Sequence, residues 1–195
     1  MANDTKERMV RGAVRLLATR GLQETSFSEV LEIAKAPRGS IYHHFPEGKE
    51  QLVSAAVDLA GTNALIVLDR LEGATAEHVT ASFLGLWREV LTRSDLHAGC
   101  SVLAVTVATD SVELLDRAAD VFRAWRARLA ELMRAGGLSP SDALPFAVTL
   151  IAASEGAVVL SRAERSLEPF DLVAEHLGRQ VAELAERGRV ASAEA

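Results

Sequence analysis

A chain of 195 residues in which 49% are hydrophobic and 25% charged can bury a core, which excludes a disordered tail and suits one domain or a small domain fused to a larger one. A single cysteine, Cys100, excludes an internal disulfide framework and a multi-cysteine zinc site, and agrees with a reducing compartment. The net charge of -6 argues against a uniformly basic nucleic-acid binder, yet it is unevenly spread: eight Lys or Arg stand against seven Asp or Glu through residue 52, and thirteen against twenty beyond. A basic surface near the start can therefore attract phosphate locally, while an acidic body limits nonspecific attachment to DNA.

The start, Met1 to Arg8, is polar and lacks the apolar centre of a signal peptide. The longest apolar stretches read as too short or too interrupted to span a bilayer, so the expected location is cytoplasmic, with no membrane partner. The first helix is expected from about Thr5 to Thr19, where Val10, Ala13, Val14 and Leu17 fall on one face and Arg20-Gly21 supplies the stop. Ser26-Phe27-Ser28-Glu29 is a capping box. Its hydroxyl can accept from the Glu29 amide, and the Glu29 carboxylate can reach back to the Ser26 amide, opening a short helix from Phe27 to Lys35. Pro37 forbids continuation, and Pro37-Arg38-Gly39-Ser40 starts a second short helix that ends at Phe45-Pro46. Two short helices with a tight break are a helix-turn-helix pattern. Further helices are expected at roughly 47–70, 76–93, 99–107, 111–135, 141–163 and 169–187, divided by Gly, Pro, Ser and Asp clusters, and no stretch alternates as a strand. Leu115, Ala118, Phe122, Trp125, Leu129 and Leu132 form one stripe expected to be buried.

The run Arg38-Gly39-Ser40-Ile41-Tyr42-His43-His44-Phe45-Pro46, followed by Glu47-Gly48-Lys49-Glu50, resembles the recognition helix of the TetR family, and the likeness covers about residues 6–57. Ala36 to Pro46, with Glu155-Gly156-Ala157 and Arg162-Ala163-Glu164-Arg165, is similar to the LmrA/YxaF-like subgroup. The resemblance implies an all-α protein. A three-helix helix-turn-helix DNA-binding domain over residues 1–50 would be followed by a helical effector-binding and dimerisation domain over 51–195. One departure is Lys35, which stands where the family has the glycine of the turn. A recognition helix places its N-terminal side chains at base edges, so Arg38 and Ser40, beside Gly39, are the expected readers, with His43 and His44 next. Tyr42 and Lys49 resemble the family's phosphate clamp. Arg38 can also be read as a solvated charge and Tyr42 as packing with its hydroxyl exposed; Ile41 and Phe45 are core. The adjacent histidines point about 100° apart without a third ligand nearby, so no metal or other cofactor is expected.

The resemblance further implies a sensing body. Phe83, Leu86, Trp87, Leu91, Leu103, Phe122 and Trp125 are candidate walls for a small hydrophobic effector, with Cys100, Thr106 and Ser154 as sparse polar contacts; the same aromatics at helical spacing also suit plain core. Residues 143–153 are apolar around nearly the whole helix, more than a monomer's surface helix needs. One face therefore needs a second partner, and the resemblance implies that Phe146, Leu150, Ala152, Gly156 and Ala157, with the stripe Phe170, Val173, Leu177, Val181 and Leu184, form a homodimer interface. The expected function is a ligand-responsive repressor binding a near-palindromic double-stranded operator. The alternatives are an architectural or ligand-independent DNA-binding protein, or an enzyme built on His97, Cys100, Asp110 and Glu113. No Gly-rich phosphate loop, nucleophile elbow or metal triad accompanies those four, so an enzyme is not expected.

Overall fold

The computed structural model describes residues 2–193, with side chains over 4–190; Met1 and the last two residues of the Ala/Ser-rich end, Glu194 and Ala195, lie outside the described residues. Among the described residues there are nine α-helices and no strand: α1 (Ala2–Glu24), α2 (Phe27–Ala34), α3 (Ser40–His44), α4 (Lys49–Asp69), α5 (Ala76–Arg93), α6 (Ser101–Thr106), α7 (Val112–Ala135), α8 (Pro140–Glu164) and α9 (Glu168–Ala193). The chain divides into two compact units. One holds the residues up to Asn63 together with Cys100–Phe122, and the other holds Ala64–Gly99 with the residues from Arg123 on. The unit that contains the helix-turn-helix thus extends well past residue 50, taking in the first part of α4, α6 and the first part of α7.

In the first unit α1 packs on α2 and α6. Its buried face, Met9, Val10, Ala13, Leu16 and Leu17, contains the predicted stripe with Val14 only half-buried. The expected stop at Gly21 is a break rather than an end: φ 80° and ψ -178° interrupt the helix there, a conformation open chiefly to glycine, and one more turn follows. Gly61 of α4 faces Val121 of α7 so closely that a Cβ would stand 2.8 Å from a valine methyl, which is why a glycine sits mid-helix.

In the second unit α9 packs on α5 and α8 around Phe83, Leu91, Leu129, Phe146, Leu150, Phe170 and Leu177. Ser139 caps α8 by accepting from the Asp142 amide at 3.1 Å, and Pro140 takes the first turn, where its missing N–H costs nothing. Arg88 of α5 grips Asp171 of α9 with two hydrogen bonds of 2.8 and 3.2 Å. This partner's hydrogen bond and charge raise the pKa of the Arg88 guanidinium. The α7 stripe is less continuous than its spacing suggests, since Leu115 is exposed and Phe122 half-buried, while Ala118, Trp125, Leu129 and Leu132 are buried.

One expectation needs correction. α4 and α8 are both long and apolar enough to cross a membrane by length and composition, against the reading that no stretch is; in this fold each has one face buried within the protein. Of the expected dimer residues, Phe146, Leu150, Ala157, Phe170, Leu177, Val181 and Leu184 are buried in the chain's own core, Val173 is half-buried, and Ala152 and Gly156 are exposed. Periodicity marks a helix's apolar positions but does not say which apolar face meets the chain itself. The face of α8 left open carries Leu144, Val148, Val159 and Leu160, each 42–51% exposed.

Candidate nucleic-acid interface

Ser26 caps α2 as expected, accepting from the Glu29 amide at 3.4 Å. The reciprocal half of the box differs. The Glu29 carboxylate takes the Ser26 hydroxyl at 3.0 Å and pairs with Arg20 instead of reaching the Ser26 amide. α2 ends at Lys35, whose φ of 49° and ψ of 48° are left-handed, the geometry the family's turn glycine would adopt freely. The chain then turns through residues 36–39, with the Ser40 amide donating to the Pro37 carbonyl at 3.0 Å and its hydroxyl to the same oxygen.

α3 is only five residues long and owes its placement to two side chains. Ile41 and Phe45, one turn apart, are each 1% exposed and pin the helix to its unit. What remains outward is Arg38, Gly39, Tyr42 and His43, with Ser40 and His44 half-buried. Tyr42 is 69% exposed, but its ring stands edge-on to Phe27 of α2 with centroids 6.0 Å apart, so the ring is oriented while the hydroxyl faces outward. The rings of His43 and His44 lie 5.1 Å apart. Arg38 makes no hydrogen bond or ion pair among the described residues, leaving its guanidinium donors available.

Three basic side chains brace this surface through partners far away in the sequence. Arg8 donates from Nε to the Ala34 carbonyl at the end of α2, at 3.0 Å. Lys6 Nζ lies 5.8 Å from the centre of the Phe45 ring. Lys49, expected as a phosphate contact, donates at 2.8 Å to the carbonyl of Leu22 in the last turn of α1. All three depend on helices meeting in space, and no local spacing encodes them.

The residues expected to contact an effector divide between the units. Cys100, Leu103, Thr106 and Phe122 belong to the first, and Phe83, Leu86, Trp87, Leu91, Trp125 and Ser154 to the second. All three polar ones have local structural work: Cys100 Sγ accepts from the Leu103 amide at 3.3 Å, while the Thr106 and Ser154 hydroxyls donate to Val102 and Leu150 carbonyls. The second unit has a cleft of about 350 Å³ between α5 and α9, lined by Thr80, Ala81, Leu84, Gly85, Phe170, Ala174, Gly178 and Val181 between Glu77 and Arg88. It shares no residue with the expected wall. His97, one of the four residues of the enzyme alternative, has its Nδ1 2.6 Å from the Asp95 carbonyl.

An all-helical chain with a short, pinned and outward-facing second helix of a helix-turn-helix is a DNA-binding regulator by class. Residues 10–56 match the family of bacterial regulatory proteins described as the tetR family, and residues 76–176 match the C-terminal domain of LmrA/YxaF-like transcriptional regulators. The chain belongs to the TetR family of transcriptional regulators, with an LmrA/YxaF-like C-terminal domain. It is 37% identical over 192 residues to an uncharacterized HTH-type transcriptional regulator of Mycobacterium tuberculosis, covering 94% of this chain and 98% of the relative. The HTH-type regulator LmrA of Bacillus subtilis is 28% identical over 86% of this chain and 91% of its own. Among solved structures, a TetR transcriptional regulator from Chloroflexus aurantiacus superposes with a TM-score of 0.76 at 29% identity, covering 93% of this chain and 96% of its own. The regulatory protein TetR from Rhodobacter sphaeroides, at 24% identity over 89% of this chain and 96% of its own, gives 0.79. The family and these relatives are regulators, not enzymes.

Proposed function

We propose that the protein is a cytoplasmic, ligand-responsive repressor that binds a near-palindromic operator as a homodimer and leaves it when a small hydrophobic effector binds. The observation that carries the reading is Arg38, exposed and without an internal partner at the N-terminal end of a helix pinned by Ile41 and Phe45. Arg38 and Ser40, flanking Gly39, read base edges, with His43 and His44 after them; Tyr42 donates its phenol to phosphate. Lys49 holds Leu22 with one proton and has two more to offer a phosphate. In a dimer the two reading helices would lie about 34–36 Å apart, in successive major grooves. Within the second unit Phe83, Leu86, Trp87, Leu91, Trp125 and Ser154 are the candidate effector contacts, and the effector acts by its differential affinity for a state that cannot hold that spacing.

Fluorescence anisotropy on DNA from upstream of the protein's own gene tests the reading. Arg38→Ala is expected to cost about 1–3 kcal/mol per half-site on the cognate site and much less on unrelated DNA. Lys49→Ala is expected to weaken all DNA alike and to flatten the log–log salt dependence by about one for each phosphate that the ammonium no longer neutralises. Equal losses for Arg38→Ala on both DNAs would make Arg38 a phosphate-binding residue and pass the reading to Ser40 and the histidines.

A further inference from the structure

The last turn of α1, set off by the break at Gly21, and the first turn of α4 face the connection between α6 and α7 across a cleft of about 400 Å³. All of it lies within the first unit. The cleft is mixed: Gln23, Lys49, Glu50, Thr109, Asp110 and Ser111 line it together with the apolar Leu22, Val53, Ala108 and Leu114. Two side-chain hydrogen bonds cross it. Gln23 Nε2 donates to the Ala108 carbonyl at 3.3 Å, a partner 85 residues away, and the Ser111 hydroxyl donates to Glu50 Oε2 at 3.3 Å, 61 residues away.

We infer that the connection over residues 107–111 is a positioning element of the DNA-reading helices, and that Gln23, Glu50 and Ser111 set operator affinity without contacting DNA. The inference rests on the DNA-binding reading above and adds residues to it from outside the motif. The chain leaves α3 at Phe45 and enters α4 at Lys49, so whatever fixes the start of α4 fixes the exit of the reading helix. Lys49 ties that start to α1 through Leu22, and Glu50, the next residue, ties it to Ser111. Gln23 ties the end of α1 to the same connection. The Glu50 carboxylate is also an acid beside a lysine proposed to meet phosphate. Held by Ser111, it stays in the cleft; released, it competes with DNA for the Lys49 ammonium. Packing of Leu22, Val53 and Leu114 holds the elements together, and these two surface hydrogen bonds, which can be exchanged without unfolding the unit, trim the position of the start of α4 against the connection.

Ser111 has a second task, since its hydroxyl accepts from the Leu114 amide at 3.4 Å and caps α7. Ser111→Asp separates the two, because aspartate caps a helix as well as serine but repels the Glu50 carboxylate. On the full-length protein, Ser111→Asp is expected to weaken operator binding roughly three- to tenfold, as for the removal of one hydrogen bond, with the thermal midpoint unchanged. Adding Glu50→Gln gives the aspartate an amide donor. It is expected to restore affinity in the Ser111→Asp background by more than it alters the otherwise wild-type protein, a positive coupling in the double-mutant cycle. Gln23→Met, which keeps the side chain's length and removes its donor, is expected to give a similar loss by an independent route. Additive effects in the cycle together with wild-type affinity for Gln23→Met would overturn the inference while leaving the DNA-binding reading intact. A wild-type protein that binds no upstream DNA would overturn both.

Discussion

Lys35 closes α2 in the left-handed region, and its exposed side chain makes no hydrogen bond or ion pair among the described residues. Holding a non-glycine residue there costs about 1 kcal/mol, since its Cβ crowds the carbonyl that a glycine would clear. Lys35→Gly is therefore expected to raise stability by about 0.5 kcal/mol, the relief being partly offset by the freer unfolded chain. Urea unfolding followed by circular dichroism measures it; an unchanged or lower midpoint would mean that neighbouring groups already absorb the crowding. This position stands out in the sequence only beside the family it resembles, which has a glycine there; the spacing alone puts Lys35 inside α2. Ile41 and Phe45 are legible directly, as an apolar pair one turn apart. The carbonyl partners of Arg8 and Lys49 are not, because each lies on a helix 26 or 27 residues away and no short-range pattern selects it.

At the scale of elements, α2, α5, α7 and α8 fall within a residue or two of where caps, prolines and periodicity put them. The misses gather at glycines. Gly21 reads as the end of α1 and is a break inside it; α9, expected to finish at 187, runs through Gly188 to Ala193. Gly188 serves close approach: a Cβ there would stand 2.5 Å from the Gly137 carbonyl. A sequence shows that a glycine is present but not whether its missing side chain frees a dihedral or makes room for a neighbour. The same helix offers a control, since a Cβ at Gly178 would meet nothing within 4 Å. Gly178→Ala is expected to stabilise by about 0.5–1 kcal/mol through helix propensity. Gly188→Ala should destabilise by about 1–3 kcal/mol despite the same propensity gain, because a backbone carbonyl has nowhere to yield. Thermal unfolding of the two variants compares them directly, and a stabilised Gly188→Ala would show that α9 can shift away from residue 137 at little cost.

At the scale of the whole molecule, the apolar girth of α8 implies a helix with two covered faces, but the residues that periodicity offers for the outer face are largely those of the inner one. Phe146, Leu150 and Ala157 are buried in the monomer, while Leu144, Val148, Ala152 and Gly156 follow one another at four-residue steps on the open side, with Val159 and Leu160 three and four residues beyond Gly156. Leu172 of α9, 60% exposed, adds another large apolar side chain to the chain's surface. This distinction separates two substitutions that the sequence alone would treat alike. Leu150→Asp places a carboxylate at a fully buried site and should cost several kcal/mol of monomer stability, enough to unfold a protein of ordinary stability whatever its oligomeric state. Leu160→Glu, at a site 50% exposed, leaves the monomer's core intact and sets two like charges against each other only if the α8 faces of two copies meet. The expected outcome is a helical, cooperatively folding monomer that binds a single half-site weakly and the full operator no better than two independent copies would. Sedimentation velocity at micromolar concentration, run beside circular dichroism, reads both properties at once. A wild-type protein that sediments as a monomer would overturn the proposed homodimer, and a Leu160→Glu variant that remains a dimer would put its interface off this face of α8.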